Sequence, residues 1–316
     1  MVELELIDTL EGHNSEVWYA SWCPTRDEIA SCGSDRTIRI WKKVDGKWIL
    51  YSTLVGEHKK TVRCVEYSPD GKSLASCSFD STIIIWKYDG KTFKYSHTLE
   101  GHSSEVKHVD WKPSGDLLAS CSRDRNIMIW GYEDEDSEQM DCYNMLLGHT
   151  QDIKFVKWHP TLNRLYSCSY DNTIKIWEEE GYEYVCKHNL TVHKNTIWGI
   201  TFINPDENED SFVSVDGSGN IVLWRKDGDD YLGLLYSGYT NFALYSVDYN
   251  QQYLITGGEE NKVYLFTKKE NELQFIQSQQ LHEFDINCLR WNIHDDHNIF
   301  LSCSDDRTIK LWKVKN

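Results

Sequence analysis

The hydrophobic and polar positions of this chain alternate in short runs, and the same series of runs returns along its length. In one copy, the runs "EVKHVDW", "LLASCS" and "NIMIW" each alternate apolar residues with polar or small ones. Alternation with a period of two predicts β-strands, and the Gly-, Asp-, Ser- and Asn-rich segments between the runs indicate turns. The pattern therefore predicts an all-β fold built from a repeated unit.

Each copy closes on an aromatic residue at a spacing of about 45 residues. The closing residues are Trp41, Trp86, Trp130, Trp177, Trp224, Phe266 and Trp312. An aspartate precedes the aromatic by six positions in five copies, as Asp35, Asp80, Asp124, Asp171 and Asp306. A histidine lies 22 positions before four of these aspartates, as His13, His58, His102 and His149. The period and the His…Asp…Trp pattern resemble WD repeats, in which four strands form one propeller blade.

Seven closing aromatics predict a seven-bladed WD40 β-propeller with four antiparallel strands in each blade. The last copy ends shortly after its third strand, and residues 4–10 precede the first copy without a blade of their own. We expect this segment to be the outer strand of blade seven, which closes the ring and protects the sheet edges. A single domain, residues 1–316, then accounts for the chain.

The spacing that repeats from copy to copy has a structural explanation. Asp124 lies in a tight turn and can accept a hydrogen bond from His102; the WD resemblance implies that His102 also contacts Ser120, which reaches the indole of Trp130. A buried chain of this kind is satisfied only as a set. We interpret it as structural, because a catalytic Ser–His–Asp interpretation would require several active sites in one chain. No catalytic residue is predicted.

Two copies depart from the motif. Blade five has Ser218 at the aspartate position, and blade six has Glu260 there, with Tyr239 and Phe266 at the histidine and tryptophan positions. Their strand patterns persist. We therefore predict that both blades form but that their internal hydrogen-bond chains are incomplete.

Composition limits the function. The chain has 316 residues, 40% hydrophobic and 26% charged, which is typical of globular proteins. No apolar run approaches the roughly 20 residues of a membrane span, and the acidic start does not resemble a signal peptide. We expect a cytosolic protein, with the nucleus as a second compartment and no membrane partner. The net charge of −17 disfavours direct nucleic-acid binding.

The ten cysteines do not predict a metal or cofactor site. The chain contains no C-x-x-C motif, and five cysteines occupy one repeat position, nine residues before the closing aromatic: Cys32, Cys77, Cys121, Cys168 and Cys303. Repetition at one position indicates core packing, since a free thiol behaves as a small hydrophobe. The acidic segment "EDEDSEQMD", Glu133–Asp141, is interpreted as a solvated loop, with partner contact as the alternative.

Two sets of residues lie on the predicted propeller face without being required by the repeat. The position before the turn aspartate, here called the turn position, holds Ser34, Phe79, Arg123, Tyr170, Gly217, Glu259 and Asp305. Arg123 lies between Phe79 and Tyr170 of the neighbouring blades, and an arginine flanked by aromatics is typical of a binding hot spot. The alternative is that Arg123 only pairs with a local acid such as Glu105.

The second set begins each inner strand and is here called the inner position. It holds Trp18, Arg63, Lys107, Lys154, Trp198, Tyr245 and Asn287. Together with Arg123, the three cations and the tryptophans predict a basic, aromatic-edged patch on an otherwise acidic protein. Ordinary variation at the rim of the face is the alternative.

The amino-acid sequences of the repeats resemble one WD family in particular. "GHSSEVKHVDWKPSGDLLASCSRDRNIMIW", "HTQDIKFVKWHP" and "TIWGITF" resemble blades three to five of the cytosolic iron–sulfur assembly (CIA) WD40 proteins, and the resemblance extends to the other blades. It implies a non-catalytic scaffold of the CIA targeting complex, which helps to deliver Fe–S clusters to cytosolic and nuclear apoproteins. The implied partners are a small adaptor subunit, a HEAT-repeat protein and client apoproteins. In this family the blade-three arginine, here Arg123, is a noted face residue.

Two other function classes remain as alternatives. A WD40 scaffold of a chromatin or ubiquitin-ligase complex would share the same face and differ in its partner. A propeller enzyme would need a cluster of carboxylates, histidines or metal ligands outside the repeat, and the sequence offers no such cluster near the predicted channel.

Overall fold

The structure, a computed structural model, describes residues 2–133, 137, 139–181, 183–205, 210–270, 272–294 and 297–315. The acidic segment Glu133–Asp141 and the loop of blade five lie partly outside the described residues. Among the described residues, no helix is long and apolar enough to cross a membrane.

The described chain forms twenty-eight strands. In chain order they are β1 Glu3–Glu11, β2 Val17–Trp22, β3 Glu28–Gly33, β4 Ile38–Val44, β5 Lys47–Leu54, β6 Val62–Tyr67, β7 Ser73–Ser78, β8 Ile83–Tyr88, β9 Phe93–Leu99, β10 Val106–Trp111, β11 Leu117–Ser122, β12 Asn126–Tyr132, β13 Met140–Leu147, β14 Ile153–Trp158, β15 Arg164–Ser169, β16 Ile174–Glu180, β17 Glu183–Leu190, β18 Ile197–Asn204, β19 Ser211–Asp216, β20 Ile221–Asp227, β21 Asp230–Tyr236, β22 Leu244–Tyr249, β23 Tyr253–Gly258, β24 Lys262–Lys269, β25 Glu272–Gln280, β26 Ile286–Trp291, β27 Ile299–Ser304 and β28 Thr308–Lys315.

These strands form seven antiparallel sheets of four strands, and each sheet is one blade. Blades one to six follow chain order from inner to outer strand, beginning with β2–β5 and ending with β22–β25. The inner strands contact their neighbours in series, and β26 of the last blade contacts β2 of the first. The sheets therefore close into a ring, which confirms the predicted seven-bladed propeller.

The closure of the ring follows the prediction from the sequence. The order of blade seven is β26, β27, β28 and then β1. Leu10 pairs with Ile309 and Leu4 with Val314, so the N-terminal strand is the outer strand of the last blade. Both ends of the described chain thus lie in one sheet.

The core lies between neighbouring blades, where the alternating apolar residues of the strands pack. The five repeat cysteines have no exposed surface and lie on the second strand of their blades. Burial raises the pKa of the thiols of Cys32, Cys121 and Cys168 well above the ordinary value. These thiols are therefore packing groups in the neutral form.

Candidate protein-interaction face

The face of the propeller rests on a buried hydrogen-bond chain in each regular blade. In blade three, His102 Nδ1 lies 2.8 Å from a carboxylate oxygen of Asp124, and its Nε2 lies 2.8 Å from Ser120 Oγ. The indole of Trp130 donates to the same hydroxyl at 2.8 Å. The serine oxygen thus joins the loop histidine to the closing tryptophan and fixes the turn that carries the face residues.

The predicted sets in blades one, two and four have the same geometry. The distances from His13 to Asp35, His58 to Asp80 and His149 to Asp171 are 2.9, 3.3 and 2.8 Å. Ser31, Ser76 and Ser167 accept from Trp41, Trp86 and Trp177, each at 2.9 Å.

Blade seven contains a histidine that the spacing rule missed. His282 lies 2.7 Å from Asp306 and 2.7 Å from Ser302, and Trp312 donates to Ser302 at 3.0 Å. The histidine precedes the aspartate by 24 positions, not 22, and it follows leucine, not glycine. A search that allowed a variable loop between the histidine and the second strand would have found it.

The prediction that blade five lacks a complete chain is wrong. His193 lies 2.7 Å from Asp216 and 2.6 Å from Ser214, which accepts from Trp224 at 2.8 Å. Asp216 is the last residue of β19, two positions before Ser218, and its carboxylate reaches the histidine from there. Ser218 instead accepts from the side-chain amide of Asn195 at 2.8 Å.

Blade six has no histidine or tryptophan at the motif positions, and its contacts there differ from those of the other blades. Glu260 accepts a hydrogen bond from Thr240 at 3.0 Å and also contacts Tyr264. Tyr239 packs edge-on against Phe266, with ring centroids 5.1 Å apart, where other blades have a histidine above a tryptophan. An aromatic contact therefore replaces the polar chain in this blade.

The turn aspartates are held in the charged form. Burial by itself would raise the pKa of Asp124, but hydrogen bonds from His102 and from the backbone amides of Asn126 and Ser103 hold it below the ordinary value. The same balance lowers the pKa of Asp216, through His193 and Asn220. These carboxylates are committed to the fold and are unavailable to a ligand.

Cation–aromatic contacts join the predicted face residues both within the inner positions and between the inner and turn positions. Lys107 Nζ lies 4.0 Å from the ring centre of Phe79, and the guanidinium of Arg63 lies 5.0 Å from that of Trp18. Lys154 lies 5.3 Å from Tyr170 and 5.2 Å from Trp198. Seven of the eight predicted face residues are thus joined into cation–aromatic pairs at the mouth of the channel.

Arg123, the remaining residue, extends from the turn of blade three. Its guanidinium donates to Glu105 at 3.0 Å, as the alternative interpretation expected. However, 59% of its side chain stays exposed, against 27% for Glu105. An ion pair this exposed contributes about 0–1 kcal/mol to stability, and the free edge of the guanidinium remains open to a partner.

The cations at the channel mouth are partly desolvated and repel one another. Burial and the charge of Lys154 lower the pKa of Lys107 to about 8. Burial also lowers the pKa of Lys154, while Asp152 opposes the shift. An anionic group placed over this cluster would relieve the repulsion and raise the pKa of Lys107.

The opposite side of the face has the opposite sign. Asp305 accepts from Asn287 at 2.7 Å, and Asp285 and Glu259 lie near it. Burial, followed by the charges of Asp305 and Glu259, raises the pKa of Asp285. Among the turn and inner positions, the cations therefore lie in blades two to four, with Trp18 and Trp198 at the two edges of this patch.

A polar cluster fills the channel below the patch. Tyr19 donates to Glu66 at 2.5 Å and lies 3.2 Å from His108, and Arg290 contacts the same hydroxyl. Cys64, Glu66 and His108 have potential ligand atoms within 4.8 Å of one another. Arg290 lies 3.8 Å from Glu66, and burial raises the pKa of the Cys64 thiol. The positive charge and the neutral thiol both disfavour a metal cation at this position.

Comparison with known proteins agrees with the fold. The sequence profile of the family described as WD40, "WD domain, G-beta repeat", matches residues 4–42, 48–87, 93–131, 140–178 and 273–313. The longest stretch that the profile leaves unmatched, residues 179–272, contains strands β18 to β24 of blades five and six.

Similar proteins carry names from iron–sulfur assembly. The probable cytosolic iron-sulfur protein assembly protein Ciao1 of Culex quinquefasciatus is 44% identical over 86 residues, covering 27% of this chain and 25% of that protein. Protein CIA1 of Arabidopsis thaliana is 38% identical over 95 residues, covering 27% of each chain. The probable cytosolic iron-sulfur protein assembly protein 1 of Cryptococcus neoformans is 38% identical over 97 residues, covering 26% of this chain and 22% of that protein.

Each match spans about a quarter of the relative's length. The names agree with the resemblance to CIA WD40 proteins noted in the sequence. The profile match covers more than half of the chain, and the structure has the blades that the profile implies. This chain belongs to the WD40 repeat family.

Proposed function

We propose that this protein is a non-catalytic scaffold of the cytosolic iron–sulfur protein assembly machinery. The names of its relatives support a role in this process. In this proposal it belongs to the targeting complex and binds a small adaptor subunit, a HEAT-repeat protein and apoprotein clients. The Fe–S cluster is the cargo of the complex and is not ligated by this chain. The protein acts in the cytoplasm and also in the nucleus.

The observation that carries the proposal is the exposed guanidinium of Arg123 beside the cation–aromatic patch. The planar donors of an arginine bind carboxylates in pairs and also stack on aromatic rings. One guanidinium nitrogen of Arg123 donates to Glu105, and 59% of the side chain stays exposed. We therefore assign partner binding to Arg123, Phe79, Tyr170, Trp18, Arg63, Lys107, Lys154 and Trp198.

The repeated Ser–His–Asp chains support a non-catalytic role. Ser120 has no exposed surface, and its oxygen already accepts from Trp130 while contacting His102. A nucleophile must reach the substrate and must be activated by its base. A hydroxyl sealed beneath the blade cannot reach a substrate, and the same applies to Ser31, Ser76 and Ser167.

The test separates partner binding from local structure by means of the Arg123–Glu105 pair. Affinity for the purified adaptor subunit is measured for wild type, Arg123→Glu and Glu105→Gln. If Arg123 contacts the partner, Arg123→Glu lowers affinity at least about tenfold, or about 1.4 kcal/mol. Glu105→Gln frees the guanidinium and leaves affinity within about twofold.

Arg307→Glu is the matched control, because Arg307 is an exposed arginine on the equivalent turn of blade seven. It is expected to leave affinity unchanged. Equal losses for Arg123→Glu and Glu105→Gln would show that the ion pair only shapes the loop. Wild type that binds no adaptor would refute the assignment to this machinery.

A further inference from the structure

The outer strands of the blades share an irregularity that blade five lacks. In six blades, one residue of the outer strand has no partner on the third strand, which carries the closing aromatic. The skipped residue lies beside the partner of that aromatic. A bulge of this kind twists the strand and disrupts the row of backbone groups at its free edge. It is one of the devices by which proteins protect a sheet edge against pairing with another chain.

The outer strand of blade five, β21, pairs with β20 in continuous register. Gly233 lies directly opposite Trp224, and a side chain there would lie 2.9 Å from the indole ring. The absence of a side chain at Gly233 thus leaves space for the indole ring of Trp224. In the other blades a bulge lies at this place. As a result, β21 presents a regular edge along its length.

This strand also lacks the other common protections. Leu232, Leu234 and Leu235 are 56%, 37% and 50% exposed. The chain from Tyr231 to Tyr239 contains neither a charged residue nor a proline, in a protein with 83 charged residues, 33 basic and 50 acidic. Lysine and proline are the residues that most often block pairing at an edge. From Tyr231 onward the edge is exposed, uncharged and free of bulges, and such an edge pairs readily with other chains. We therefore expect it to be kept where it binds a partner.

We propose that β21 is a docking strand, which an extended segment of a partner protein joins as a fifth strand of blade five. In this mode of recognition the backbone hydrogen bonds of the edge give affinity, and alternate side chains give specificity. The exposed leucines call for a segment with apolar residues at alternate positions. This site lies on the side of the ring, on the outer strand of one blade, and is independent of the proposed face.

Charge defines the partner further. Asp229 and Asp230 are exposed at the beginning of β21, so an antiparallel partner segment would end beside them and would be stabilised by Lys or Arg there. A second copy of this chain is a poorer occupant, because pairing would bring together two bodies of net charge −17. The proposed partner is therefore an alternating apolar strand with basic residues at its carboxyl end.

The probe is a short synthetic peptide of alternating valine and threonine that ends in two lysines. Its affinity is measured by fluorescence anisotropy, and amide hydrogen exchange locates the binding. The expected result is binding by wild type with new protection of residues 231–236. N-methylation of alternate peptide amides removes the ladder hydrogen bonds and is expected to abolish binding.

The variant Leu232→Lys/Leu234→Lys is expected to lower affinity at least about tenfold. The matched control is Tyr143→Lys/Met145→Lys, which adds the same charge at exposed positions (48% and 50%) of the bulged strand β13; it should leave affinity unchanged. No peptide binding, equal loss in both variants, or protection on another blade would overturn the proposal. So would sedimentation that shows a wild-type dimer which the β21 variant dissolves, since a second copy would then be the occupant.

Discussion

Replacing Asp124 with alanine tests whether the turn aspartate belongs to the fold. Its carboxylate accepts from His102 at 2.8 Å, from the amide of Ser103 at 3.0 Å and from the amide of Asn126 at 2.9 Å. The side chain of His102 is fully buried, so its Nδ1 would lose its partner without access to water. An unsatisfied buried group of this kind costs about 1–3 kcal/mol.

The assay is urea unfolding of the full chain, with amide hydrogen exchange to localise the change. We expect Asp124→Ala to lower the free energy of unfolding by about 1–3 kcal/mol, with faster exchange in β10 to β13. The neighbouring Arg123→Ala is the control and should cost less than about 1 kcal/mol, since its ion pair is exposed. Unfolding of Asp124→Ala at the wild-type urea concentration would show that the buried hydrogen-bond chain does not stabilise the blade.

Other perturbations test particular features of the structure. Asp216→Ala should destabilise the protein as much as Asp124→Ala, whereas Ser218→Ala should cost less than about 1 kcal/mol; the reverse order in urea unfolding would restore the spacing-based assignment. Burial raises the pKa of Asp110 to about 7, so its stabilising contribution is present at low pH and is lost as the pH rises from about 4 through 7. The melting temperature of Asp110→Asn relative to wild type should therefore increase between pH 5 and pH 8, and a constant difference would contradict this. Asp210→Asn leaves two tyrosine hydroxyls with one acceptor fewer and should cost about 1–3 kcal/mol, measured by urea unfolding; an unchanged midpoint would show that this buried cluster is not stabilising.

The fold could be predicted from the sequence because its information is local and repeated. Each copy has its own strands, turn and closing aromatic. The seven copies therefore predict the same blade independently of one another. The closure by Leu4–Leu10 followed from counting strands, and the pairing with β28 confirms it.

The exceptions depended on contacts that spacing does not encode. Asp216 reaches His193 from the end of a strand, and His282 lies two positions outside the regular interval. The acceptor cluster at Asp210 joins Tyr166 and Tyr231, which are far apart in the sequence and meet only when blades four and five pack. A fixed-interval rule cannot find residues that are brought together by a longer loop or by packing.

The face residues were only partly predictable. Position within the repeat placed the cations and aromatics on one side of the ring, and the structure brings seven of them into pairs. The sequence could not decide whether Arg123 pairs with Glu105 or how much of the Arg123 side chain stays exposed. A flexible arginine side chain can pair with any of several carboxylates within reach. The role of these residues in partner binding remains a prediction.

The proposed role of this propeller is that of an assembly scaffold whose face binds protein partners through Arg123. The most direct test is affinity purification of wild type and Arg123→Glu from cytosolic extract, with both proteins first shown to melt at the same temperature. We expect wild type to recover the small adaptor and the HEAT-repeat protein, and the variant to lose them or their apoprotein clients. Recovery of neither subunit by folded wild type, or equal recovery of subunits and clients by both proteins, would contradict it.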